Sequence, residues 1–395
     1  MLKKLTINNF KCFLDETISF KDLTVLAGAN GVGKSTVIQA LLIIKHTREK
    51  YLRYNFKDCP SSKSDFAPIE LNHTYMMNLG NAEMVINSKS EIKEIKLSYC
   101  ADSDFKADFV YGLVPDKLII SFKNLQQKFK GNTNPNDDPF VQTDFNYLNA
   151  ERIGPRNIQS MGYQEFINTG YQGEFTGQAI STAENKNLTL KKDDKRLFRP
   201  EDNEEIQLAL RKQIEQWMDF IIPGIRLNVE SFPAINTVRV SLKKEGMDTG
   251  FLHPNNIGFG ITFVLPIVVT GLIASRGSMI IVENPEAHLH PYGQSKIGQF
   301  LAAVASQGIQ VVVETHSEHV INGIRVASLK NFITPDKICI NFFSHNKEKQ
   351  APDITEITVD DEGDLSKWPR DFFDQEERDL AEIHRLRKKR KSNNI

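Results

Sequence analysis

The sequence predicts an α/β fold: a parallel-sheet core assembled from the two ends of the chain, with a mixed α+β lobe inserted between them. Three observations predict it. Residues 28–35 read Gly-Ala-Asn-Gly-Val-Gly-Lys-Ser, between an apolar run (Leu23 to Ala27) and an apolar-periodic helix (Ser35 to Lys45). From about residue 255 to 343, short apolar runs alternate with helical patterns, as βα units do. Between these ends the chain turns to two-residue alternation broken by polar loops. The expected division is an N-terminal part of the core (1–99), the inserted lobe (100–250) and a C-terminal part (251–395).

Taken in order, Leu5, Ile7, Phe10, Ile18, Phe20, Leu23 and Val25 alternate as two or three strands ahead of the glycine-rich loop. After the first helix, Tyr51 to Asn72 is polar and turn-rich, a surface loop. Strand-like alternation returns at Ala82 to Ile86, Ile92 to Tyr99 and Lys117 to Phe122. Gln126 to Asp144 holds a run of Gly, Asn, Asp and Pro and predicts a flexible loop. A helix is expected over Asn203 to Ile221, and a hairpin from Arg226 to Val229 and Thr237 to Leu242. Then come helices at Phe259 to Ala274, Tyr292 to Ala305 and Glu318 to Leu329. Strands alternate with them at Met279 to Val282, Gln310 to Val313 and Lys337 to Phe343. A strand pair around Ile354 to Val359 and a charged helix, Asp374 to Lys391, close the chain.

Composition narrows the function classes. The 395 residues are 40% hydrophobic and 25% charged, with a net charge of −1, so no global basic field draws nucleic acid. The four cysteines, at 12, 59, 100 and 339, have no C-x-x-C spacing, which argues against a zinc site or a disulfide framework. Met1 to Phe10 lacks a signal-peptide core, and the longest apolar stretch, Ile261 to Ala274, is too short for a bilayer. A soluble protein of the reducing cytoplasm is expected.

The loop carries the first chemistry. G-x-x-x-x-G-K-[ST] after a strand and before a helix is a phosphate-binding loop. Gly28, Gly31 and Gly33 let the backbone curl and aim N–H groups at phosphate oxygens, and the helix start adds its positive dipole end. Lys34 reaches the β- and γ-phosphates, and Ser35 offers its hydroxyl to Mg²⁺. Asn30 and Thr36, in the loop and at the helix start, join them as nucleotide-binding candidates. A nucleoside triphosphate is the expected ligand.

A second half follows at the carboxyl ends of two later strands, where α/β sheets bind ligands. Glu283 ends Met279-Ile280-Ile281-Val282. Alone it is a surface glutamate closing a core strand; downstream of a phosphate loop it is a magnesium ligand through water. The next strand ends Val313-Glu314-Thr315-His316-Ser317. His316 is either a structural histidine or a γ-phosphate sensor.

Together these pieces resemble the ABC-type ATPases of the RecF, SMC and OLD groups. The resemblance is carried by Leu5 to Lys11, Leu23 to Thr36, Glu283-Asn284-Pro285-Glu286-Ala287-His288-Leu289-His290-Pro291 and Glu314 to Ser317. A stand-alone bacterial OLD-like branch is similar in Gly173-Glu174-Phe175, Gly258-Phe259-Gly260 and Trp368 to Gln375, with a shorter match at Ala150 to Arg156. The resemblance implies an ABC/SMC-like P-loop NTPase head, ATP and Mg²⁺ as ligands, and a head-to-tail homodimer or higher oligomer. In that arrangement the signature segment of one copy, here Asn256 to Thr262 with Gly258, Gly260 and Thr262, caps the ATP of the other. A glycine-bearing helix start that serves packing alone is the other account of that segment.

Three departures accompany the resemblance. The residue after the magnesium acid is normally a glutamate that activates water; here it is Asn284, which orients water but is no base. Glu286 is a substitute displaced into the turn. The acid itself is Glu283 where aspartate is usual, and the signature lacks a Ser-Gly-Gly-Gln sequence, with Phe263 where glutamine often stands. Slow hydrolysis or a long-lived ATP-bound state is expected. His288 and His290 read as a turn rather than a metal site. Arg385 to Lys391 is either a solvated helix end or a nucleic-acid contact. No Asp-x-Asp nuclease motif follows the ATPase segments, so an effector, such as a nuclease, is expected to be encoded separately. Anti-phage defence is the setting implied by the resemblance. An ATP-bound scaffold with little turnover and a RecF-like repair ATPase are the alternatives, and no membrane partner is expected.

Overall fold

The computed structural model describes residues 1–51, 67–102, 105–128, 138–141, 144–200, 205–246, 250–256, 259–346, 348, 351–369 and 375–393. The chain opens with β1 (Leu2–Phe10), β2 (Phe13–Ser19), β3 (Leu23–Gly28) and the long helix α1 (Lys34–Tyr51). Next come β4 (Pro68–Glu70), the helical turn α2 (Ala82–Val85), β5 (Glu94–Ala101), β6 (Lys106–Leu113) and β7 (Ile119–Lys128). The middle holds β8 (Phe145–Leu148), β9 (Gln159–Ser160), α3 (Thr176–Asn185), α4 (Leu210–Ile221), β10 (Ile225–Phe232) and β11 (Thr237–Lys244). Then α5 (Phe259–Ile273), β12 (Met279–Glu283), α6 (Pro291–Ser306), β13 (Gln310–Thr315), α7 (Glu318–Leu329), β14 (Ile338–Asn346) and β15 (Ala351–Ile357) alternate, and α8 (Gln375–Asn393) follows.

The core sheet runs β15-β14-β3-β13-β12-β8, parallel throughout except for the edge strand β15. Its inner strands are buried on both faces, which is why they read as near-continuous apolar runs. Alternate residues separate the interior in two. Val25, Val313, Val282 and Ile340 face one cluster with Trp217, Val268, Phe300 and Ile324 from the helices α4 to α7. Leu26, Val312, Ile281 and Phe343 face the other, with Val37, Leu41 and Ile44 of α1 and with Leu5, Leu97 and Phe109. Those last three belong to an antiparallel sheet, β2-β1-β5-β6-β7-β4. Helix α1 is therefore clamped between two sheets and buried on nearly every side. Its C-terminal half even buries a cation: Arg48 is ion-paired to Asp138 at 2.6 Å, beside the Tyr99 hydroxyl.

The structure departs from the sequence reading in four places. Strand β5 runs across the boundary expected at 99/100, and β8, from the expected inserted lobe, pairs with β12 in the core sheet. Alternation marks a strand but does not say which sheet it joins. Residues 82–85 form a helical turn rather than a strand, because the Asn81 side chain caps it by accepting from the Met84 N–H at 3.2 Å. The helix expected from Asn203, a residue outside the described ones, begins at Leu210; over 205–209 the chain is not helical, with Leu208 accepting from the Leu190 N–H. Helix α3 is absent from the sequence reading, since its face is polar and small. The loop at Gly131 to Asp137 and the tail residues Phe372 to Asp374 lie outside the described residues. Among those described, no helix is long and apolar enough to cross a membrane.

Because the core strands are parallel, their carboxyl ends, Gly28, Glu283 and Thr315, meet along one edge. That edge carries the site.

Candidate nucleotide-binding site

The loop between β3 and α1 floors a cavity of ≈ 450 Å³. Gly28 has to be glycine: its φ is +135°, and a Cβ would fall 2.1 Å from the Phe343 carbonyl oxygen of β14. Asn30, Gly31, Gly33, Lys34, Ser35 and Thr36 line the cavity, and so do Glu283, Asn284 and His316 from across the sheet edge. Lys34 is 3% exposed; its Nζ donates to the Gly28 carbonyl at 2.9 Å and the Ala29 carbonyl at 2.6 Å. Burial lowers its pKa, opposed by Glu314 and Glu286.

The acids stand differently from one another. Glu283 accepts from the Tyr147 hydroxyl at 2.9 Å and the Ala150 N–H at 3.2 Å, and burial raises its pKa. Glu314 also lines the cavity. It accepts from the Ser35 hydroxyl at 2.8 Å, while burial and then Glu283 push its pKa up to about 7. Glu286 does not face the cavity. Its carboxylate is taken by the Thr315 hydroxyl at 2.7 Å and the His316 N–H at 2.8 Å, so it ties the turn after β12 to the end of β13. The geometry gives Glu286 a bracing position rather than the base position the sequence reading offered it. His316 lines the cavity; partial burial, then Lys34, lower its pKa, which favours the neutral imidazole.

Asn284 sits at φ +46°, its N–H donating to the Glu314 carbonyl at 2.8 Å. Its Oδ1 is buried without a hydrogen-bond partner and the residue lines the cavity. This left-handed turn is held by Arg152, which donates to the Glu283 and Asn284 carbonyls, each at 2.6 Å, and lies over the Phe263 ring of α5. Arg152 is 4% exposed and burial lowers its pKa to about 10. Arg152→Lys is expected to cost about 1–3 kcal/mol, because an ammonium cannot match the two-pronged donation; a denaturant titration reads it.

The signature segment stands apart from this cavity. Gly258 lies outside the described residues. Gly260 lies against the turn after β12: a Cβ there would fall 2.6 Å from the His288 carbonyl oxygen. Gly260 and Thr262 line other, separate hollows. His288 packs on Phe263 at 4.5 Å between ring centres, and the His290 ring accepts from the Tyr292 N–H at 3.4 Å. No group of three or more metal-type side chains occurs among the described residues.

Lys11, Cys12, Gln39, Glu314 and Arg152 carry no role in the sequence reading, yet all but Arg152 line the cavity. Lys11 arrives because the β1–β2 turn folds over the loop, and its Nζ donates to Gln39 at 2.8 Å. Glu314 alone had a signal: a charge directly after the apolar run Val311-Val312-Val313.

A family model described as an AAA ATPase domain matches residues 1–321. The chain belongs to the AAA ATPase domain family. A second model, for proteins of unknown function, matches residues 333–383 of this ATPase domain protein. Among curated proteins it is similar to an OLD nuclease of Thermus scotoductus, 22% identical over 342 residues. That match takes in 80% of the chain but 59% of the relative, so the chain spans less than two thirds of the nuclease's length. Among solved structures it is similar to an SMC head bound to the C-winged helix domain of ScpA, with a TM-score of 0.54. There the identity is 13%, covering 91% of this chain and 98% of that one. The AAA ATPase domain thus has an SMC-like P-loop ATPase head fold.

Proposed function

We propose that this AAA ATPase domain binds and slowly hydrolyses ATP, and that ATP-driven pairing of two heads controls an effector. The observation that carries it is the convergence of Lys34, Ser35, Glu283, Asn284 and His316 on the cavity that the phosphate loop lines. Lys34 supplies positive charge to the β- and γ-phosphates, and the loop N–H groups hold the phosphate oxygens. A bound Mg²⁺ would neutralise phosphate charge; Ser35 and the neighbouring carboxylates are oxygen donors that suit it. Asn284 lines the cavity, and an amide there orients a water without taking its proton, hence slow turnover. In this reading His316, which lines the same cavity as the loop, senses the γ-phosphate.

The cavity is built from residues outside the signature segment, so a second copy supplying Gly258, Gly260 and Thr262 completes it in this reading. ATP favours the closed pair only as far as it binds that pair more tightly than the open heads. The likeness to an OLD nuclease favours a nuclease as the effector and nucleic acid as a ligand, and anti-phage defence is the setting that the sequence resemblance implies. Asn284 favours a second reading, an ATP-held scaffold with little turnover.

The test is steady-state ATP turnover with and without duplex DNA, alongside sedimentation with ATP. Turnover and ATP-dependent pairing are expected, with DNA stimulation marking a nucleic-acid sensor. Pairing without turnover would leave the scaffold; neither would sink both readings.

A further inference from the structure

Glu314 pairs in register with Glu283 across the parallel ladder of β13 and β12. Two carboxylates thus stand side by side at the sheet edge, and like charges so placed destabilise a sheet. Water does little to relieve this, because Glu314 is only 5% exposed. The two acids differ in how they are satisfied. Both oxygens of Glu283 have donors from the protein, Tyr147 and Ala150. Glu314 has one, the Ser35 hydroxyl on Oε1, while its Oε2 is buried with no hydrogen-bond partner. Nearby, Lys34 spends its ammonium on the Gly28 and Ala29 carbonyls.

A buried carboxylate oxygen without a partner is destabilising, and a pair of adjacent acids more so. The chemistry that relieves both at once is a hard divalent cation, which takes oxygen donors such as carboxylates and hydroxyls. The donors in place are all oxygens: a hydroxyl and two carboxylates beside a phosphate loop. We propose that Glu314, with the Ser35 hydroxyl, is the acid that faces the divalent cation of the nucleotide complex, and that Glu283 stands behind it. Glu283, fixed by Tyr147 and Ala150, ties the 147–150 segment to the sheet edge and adds negative charge at longer range. The magnesium role that the sequence pattern hands to Glu283 is thereby moved one strand closer to the loop, since β13 lies between β12 and β3. The proposal rests on the nucleotide reading above.

The experiment is calorimetric titration of the full chain with a non-hydrolysable ATP analogue, once with Mg²⁺ and once with EDTA. Wild type, Glu314→Gln and Glu283→Gln are compared, and Mn²⁺ paramagnetic resonance reports the metal directly. Magnesium should tighten analogue binding to the wild type. In Glu314→Gln that gain should fall by about 10-fold or more, with affinity in EDTA unchanged or tighter because a negative charge has left the phosphate site. Glu283→Gln should keep the larger part of the gain. A full magnesium gain in Glu314→Gln overturns the proposal. So does equal loss of binding in EDTA, which would make Glu314 a support for the loop rather than a metal residue. If the wild type binds no analogue under either condition, the nucleotide reading itself fails, and this site with it.

Discussion

Lys34→Ala is expected to lower ATP turnover by about 10²-fold or more and to weaken nucleotide binding while leaving the chain folded. The reason is the charge balance of the cavity. Glu283 and Glu314 put two carboxylates at its wall, and Lys34 and Lys11 are the cations lining it. Without Lys34 the phosphates of a nucleotide meet an acidic surface with a single ammonium, already engaged with Gln39. The loop itself should survive, since its curl depends on Gly28, Gly31 and Gly33 rather than on the lysine. The check is turnover and fluorescent-nucleotide affinity of wild type and Lys34→Ala at matched thermal midpoints. Wild-type turnover in the variant would mean the phosphate loop is not where ATP reacts.

Asp138→Ala is expected to cost about 3–5 kcal/mol of stability, because it strands a buried cation. Arg48 is 2% exposed and Asp138 0% exposed, and they pair at 2.6 Å. Asp138 also accepts from the Tyr99 hydroxyl at 2.6 Å and the Phe140 N–H at 3.0 Å, so three donors lose their acceptor at once. The Arg48 guanidinium still meets the Tyr99 hydroxyl and the Phe109 ring, 5.0 Å away, but neither carries the opposite charge. Replacing both partners, Arg48→Met with Asp138→Leu, should recover much of the loss, since an apolar pair needs no compensation there. Denaturant midpoints of the single and double variants decide it. A single-variant loss within about 0.5 kcal/mol, the range of ordinary surface substitutions, would show that solvent reaches the pair.

Why α1 tolerates such a pair is a tertiary matter. The helix is sandwiched by two sheets, so charges as far along it as Lys45 and Arg48 lie inside, and only at Glu49 and Lys50 does it emerge. A pattern with no polar face can be recognised as buried, but not what lies on either side. The same holds for β8. Its four residues pair with β12 and complete the core sheet, yet they stand within what the sequence presents as a separate lobe.

Legible in the residues alone are the glycine-rich loop with its flanking strand and helix, the α/β character of the C-terminal third and the strand ending in Glu283. Each is written in a local pattern: glycine spacing around a lysine, or apolar runs of strand and helix period. Its match to the AAA ATPase domain agrees with that local legibility. The tertiary structure alone decided which acid touches Ser35, that Glu286 braces a turn, that Arg152 clamps the Asn284 backbone, and that Gly260 packs against its own chain. Those facts are set by strand order and register, and register joins residues 279 positions apart, as Ser35 and Glu314 are. Local periodicity carries no information on which distant strand becomes a neighbour, so the distribution of roles among three glutamates waited for the fold.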